Sequence, residues 1–124
     1  MKKYLRFIPA IIWMTVIFYL SSRQTTGIGG DSYWLRFFIL KSFHLIEYAV
    51  LFILINFAIN SKIKSVIIAY FYGITDETHQ LFTAGRTAKF TDTLIDLLGI
   101  FIGLFFLKFI FTPILKKLKL SKGR

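Results

Sequence analysis

Five of the six acidic residues and both histidines fall inside, or at the head of, strongly apolar stretches: Glu47, Asp76, Glu77, Asp92, Asp96, His44 and His79, with only Asp31 elsewhere. An ionisable group at membrane depth costs about 3 kcal/mol on insertion scales, so each one implies a partner or a function. Residues three and four apart share a helix face. His44, Glu47 and Tyr48 form one such face; Asp76, His79, Gln80 and Thr83 form a second, with Glu77 about 100° round on its flank. Asp92, Asp96, Gly99 and Gly103 form a third, and its Gly-x-x-x-Gly half lets a neighbouring backbone approach, turning the two aspartates toward the bundle interior.

Several chemistries suit this set. Arg86, in the segment Thr83-Ala84-Gly85-Arg86-Thr87-Ala88, can pair bidentately with one of these carboxylates or with an incoming phosphate or carboxylate. The plain structural alternative is an internal clasp in which Arg86 and Lys89 neutralise Asp and Glu so that the helices pack. His44-x-x-Glu47 and Asp76-x-x-His79 each set an imidazole and a carboxylate one turn apart, a spacing that also fits a mixed nitrogen and oxygen metal site; hydrogen-bonded histidines are the simpler explanation, and no metal or cofactor is expected. Glu47 or Glu77 as a general base would make the protein a membrane-embedded hydrolase or transferase, and a chain of carboxylates would make it an ion-coupled carrier. No catalytic residue is assigned, since Thr75, Thr78 and Thr83 stand in no nucleophile arrangement. The chain has no cysteine, which removes disulfides, thiolate metal sites and cysteine nucleophiles.

The elements that must position these groups follow from composition. Of 124 residues, 56% are hydrophobic, above the usual 45–50% of a soluble domain, and they arrive in runs, so an all-α polytopic membrane protein is expected rather than a soluble enzyme. Four spans are expected, at about 4–20, 42–59, 65–82 and 91–112, with a basic tail over 113–124, all in one domain. No small-x-small cleavage pattern follows Leu20, so the first span reads as retained rather than as a signal peptide. Tyr33, Trp34, Phe37 and Phe38 read as an interfacial aromatic segment. The net charge of +10 sits at the ends of apolar stretches, and no nucleic-acid motif accompanies it. Membrane lipids are therefore the expected partners, nucleic acid is not, and the oligomeric state is open.

With both termini cytoplasmic, that side holds Lys2, Lys3, Arg6, Lys62, Lys64, Lys116, Lys117, Lys119, Lys122 and Arg124, against Arg23, Arg36, Lys41, Arg86 and Lys89 outside, while Lys108 snorkels inward. That N-in, C-in arrangement puts all the intramembrane acids and both histidines toward the outer half of a four-helix bundle.

The motifs themselves resemble a known family. His44-x-x-Glu47-Tyr48, then Asp76-Glu77-x-x-Gln80 followed by Gly85-Arg86, then Asp92 and Asp96 ahead of Gly99 and Gly103 are similar, in that order and over nearly the whole chain, to the VanZ-like family of small bacterial membrane proteins. This sequence departs from the family's usual pattern at Leu40-Lys41, where Asp-Lys is common, and at Asp96, where Asn is common. The resemblance implies a multi-pass protein of the bacterial cytoplasmic membrane. The family's named member is associated with low-level resistance to the glycopeptide teicoplanin. The reading that joins this to the residues is an outward polar site of His44, Glu47, Asp76, Glu77, His79, Gln80, Arg86, Asp92 and Asp96 that binds an anionic envelope lipid, a cell-wall lipid precursor or a lipoglycopeptide.

Overall fold

The computed structural model describes residues 2–22, 32–82 and 90–123, and these contain helix and turn but no strand. A 3-10 turn, Lys3–Phe7, leads into α1 (Ile8–Ser22). The long α2 (Tyr33–Ile59) and α3 (Lys62–Gln80) follow, then α4 (Phe90–Phe106), a π-helical turn over Leu107–Phe111, and α5 (Thr112–Lys122).

Among the described residues, three segments are long and apolar enough to cross a membrane: Lys3–Leu20, Trp34–Ile59 and Asp92–Lys122. The expected third span, α3, has the length, about 28 Å for its 19 residues, and is more polar than these three. It carries Lys62 and Lys64 at one end and Asp76, Glu77 and His79 toward the other. α3 thus brings polar groups to its neighbours.

Local chemistry explains the boundaries. Ser32 caps α2 by accepting from the Leu35 N–H. Asn60, at φ 58° and ψ 39°, closes α2 in the left-handed conformation that asparagine tolerates, and Ser61 caps α3 through the Lys64 N–H. So short a link makes α2 and α3 antiparallel neighbours, as their sequence predicts.

Two segments turn out to be continuous with helices. The aromatic run at Trp34, Phe37 and Phe38 forms the first turns of α2, whose 27 residues extend about 40 Å, beyond a hydrocarbon core of about 30 Å. The basic end of the chain, expected as a tail after Pro113, stays helical through Lys122. Pro113 lacks an N–H and its ring crowds the preceding turn; the π-helical turn just before it widens the helix, and the Thr112 N–H and Oγ1 both reach back to the Leu107 carbonyl, the latter at 2.8 Å.

Tyr48, Leu51, Phe52 and Ile55 of α2 form the core with Ile17, Ala69 and Ile100. Large apolar side chains cover the outside, among them Phe38, Phe43, Ile46 and Phe57 on α2 and Phe101, Phe105 and Phe106 on α4. An exterior this apolar matches lipid, not water. α1 is pinned by two polar crossings: Trp13 Nε1 donates to the Glu47 carbonyl at 2.8 Å, and the Tyr72 hydroxyl donates to the Met14 carbonyl.

Candidate functional site

α4 reaches α2 through its two glycines. A Cβ built on Gly99 would lie 2.6 Å from the Leu45 carbonyl oxygen, and one on Gly103 would lie 2.6 Å from that of Ala49. Only hydrogen fits at either position, so the helices press backbone to backbone. That contact fixes what stands one turn above. Asp96, fully buried, accepts at Oδ1 from His44 Nδ1 at 3.1 Å, and Asp92 pairs with Lys41.

α3 closes the third side. Gly73 presents its bare Cα to Asp96 and Tyr48: a Cβ there would sit 3.2 Å from Asp96 Oδ2 and 3.3 Å from the Tyr48 ring. One turn further, the Tyr48 hydroxyl donates to Asp76 Oδ2 at 3.2 Å. Asp76, Glu77 and Gln80 are all buried, because α3 is covered by both α2 and α4. Glu77 is only 6% exposed, and among the described residues neither of its oxygens has a hydrogen-bond partner.

The sequence-derived residues divide accordingly. His44, Glu47, Asp76, Glu77, Gln80, Asp92 and Asp96 are buried. His79 is half-buried, and its ring lies 4.2 Å, centroid to centroid, from Phe18 of α1. Arg86, Lys89 and Thr83, and with them the pairing expected of the Arg86 guanidinium, lie outside the described residues. Glu47 supplies its backbone carbonyl to Trp13. The Thr75 and Thr78 hydroxyls donate to carbonyls of their own helix, Phe71 at 3.0 Å and Ile74 at 2.9 Å, and both residues are exposed, away from the cluster.

Lys41, which the sequence reading counted only among the outer-side charges, is a further participant through its pairing with Asp92. The signal was present: it precedes His44 by one helical turn and so shares its face. The aromatic run ahead of it obscured the start of the helix.

Metal-compatible geometry also differs from the pairs that spacing suggests. One ring nitrogen of His44, one carboxylate oxygen of Asp76 and one of Glu77 lie within 4.8 Å of one another. Glu77 takes the place that the i, i+3 pattern gave to His79, and Glu47 is outside the trio. The whole cluster is strongly acidic: among the described residues, five carboxylates stand against the Lys41 ammonium and the His44 ring, in surroundings where an uncompensated charge is expensive.

Among curated proteins and among solved structures, none matches the chain. The family model described as VanZ/LLP1 matches residues 6–112, a stretch that contains every side chain of the cluster and the three-helix junction that holds it. The chain therefore belongs to the VanZ/LLP1 family.

Proposed function

We propose that this membrane protein uses the cluster between α2, α3 and α4 to bind an anionic envelope component, a lipid-linked phosphate or a lipoglycopeptide, on the outer side of a bacterial cytoplasmic membrane. The observation that carries the reading is the polar junction itself, where seven buried polar side chains from three helices meet with the Lys41 ammonium at their rim. Packing alone does not favour so many ionisable groups in one place, because buried polar groups are more costly than the apolar side chains that would fill the same space. Lys41, whose side chain keeps about a quarter of its surface, at 23%, is the cation at the rim. Arg86, in the segment after α3, adds the fork that suits phosphate or carboxylate. Both termini are cytoplasmic in this arrangement, α3 completes the four-helix bundle, and any contribution to teicoplanin resistance acts through occupancy of the site.

The test is retention of a polyprenyl phosphate against the matching neutral polyprenol by the full chain in nanodiscs, read by native mass spectrometry. The phosphate form is retained preferentially by the wild type and less by Lys41→Ala and Arg86→Ala. Equal retention of the two lipids contradicts the reading.

A further inference from the structure

We propose that His44, Asp76 and Glu77 form a binding site for one divalent transition-metal cation, with Asp96 and Tyr48 as the residues that hold the ligands in place. Three donor atoms from two helices stand within 4.8 Å of one another. A divalent ion with bonds of about 2.0–2.2 Å draws its ligand atoms to about 3–4 Å apart. Rotation of the two carboxylates about their terminal torsions, which are broad and soft, covers the difference.

Glu77 is a second and independent pointer. It is 6% exposed, neither oxygen has a hydrogen-bond partner among the described residues, and it belongs to the trio. A cation between it and Asp76 removes both the unsatisfied acid and the repulsion between neighbouring carboxylates.

The surrounding shell fits too. A metal-bound imidazole nearly always gives its other ring N–H to a carboxylate or carbonyl, which fixes the tautomer. His44 Nδ1 has that partner in Asp96 Oδ1 at 3.1 Å, and the neutral tautomer that donates there carries its lone pair on Nε2. Asp76 is oriented in turn by the Tyr48 hydroxyl. The Lys41 ammonium, a potential competitor, is engaged with Asp92.

One imidazole nitrogen and two carboxylate oxygens form a borderline donor set, suited to Zn²⁺ or Mn²⁺ and less so to Mg²⁺ or Ca²⁺, which favour all-oxygen shells. Three protein ligands leave positions open for water or for an oxygen of a bound anion. The ion site goes beyond the proposed lipid binding and stands without it, since the metal alone is the probe.

The full chain, in phosphatidylcholine nanodiscs and stripped with chelator, is titrated with Zn²⁺ and separately with Mn²⁺. Bound ion is counted by elemental analysis, and the Mn²⁺ form is examined by pulsed electron paramagnetic resonance. The wild type takes one ion per chain and shows nitrogen coupling that His44→Ala removes. Glu77→Gln loses the ion, Asp96→Asn binds about 10- to 100-fold more weakly, and His79→Ala titrates as wild type. Folded wild type that takes up no stoichiometric ion overturns the proposal, even if Glu77→Gln fails to fold. So does a Glu77→Gln variant that binds like wild type. Loss of preference for the polyprenyl phosphate with metal binding intact refutes the lipid reading alone.

Discussion

His44 Nδ1 and Asp96 Oδ1 lie 3.1 Å apart although 52 positions separate them in the chain, and both residues are buried. The pair exists because Gly99 and Gly103, below Asp96 on the same stripe of α4, let that helix rest on the α2 backbone at Leu45 and Ala49. Close packing and site chemistry are therefore one arrangement, and disturbing the first must disturb the second.

Gly99→Ala and Gly103→Ala each place a methyl group about where a carbonyl oxygen already sits, at 2.6 Å, and backbone cannot step aside as a flexible side chain can. Each should destabilise the protein by about 1–3 kcal/mol, the usual cost of overpacking, in denaturant unfolding monitored in detergent. Gly123→Ala, whose nearest neighbour would be 3.6 Å away, should be neutral.

Lys41 and Asp92 join α2 to α4 near the start of the latter. Removing the ammonium leaves a buried carboxylate with less compensation, whereas removing both charges does not. Lys41→Ala should cost about 1–3 kcal/mol, and adding Asp92→Asn should recover part of it. A double-mutant cycle with no coupling would show that the pair contributes nothing to stability.

How far the site could be read from the sequence depended on whether a residue's environment is local. The Gly-x-x-x-Gly stripe, the capped turn at Asn60 and Ser61, and the faces holding His44, Asp76 and Asp96 all follow from helical spacing, which a sequence displays directly. The surroundings of Glu77 and Lys41 are set by other helices and are not legible in local spacing. A helix covered on two sides buries a face wide enough to include both Asp76 and Glu77, and no periodicity within α3 announces that. His79 was drawn toward Asp76 by the same i, i+3 logic, yet its ring rests on Phe18, a contact with α1 that only the tertiary arrangement supplies. α3 is long enough to span, and its own charges make it more polar than the three apolar segments.

The arrangement with both termini inside makes the α2–α3 turn cytoplasmic and the segment after α3 external. The chain has no cysteine, so single replacements report cleanly. In intact cells a membrane-impermeant maleimide should label Arg86→Cys and spare Lys62→Cys until the membrane is opened. The reverse pattern would put the polar cluster on the inner side and remove the proposed access for an envelope ligand.

Disulfide trapping across α2 and α4 tests most directly the claim that polar groups from separate helices converge in one place. The doubly substituted His44→Cys, Asp96→Cys protein should cross-link within the chain on mild oxidation in native membranes. Phe43→Cys with Asp96→Cys should not, because Phe43 is 55% exposed on the lipid-facing side of α2. Efficient cross-linking from position 43 with none from position 44 would mean that α2 is rotated away from α4, and the shared site would not exist.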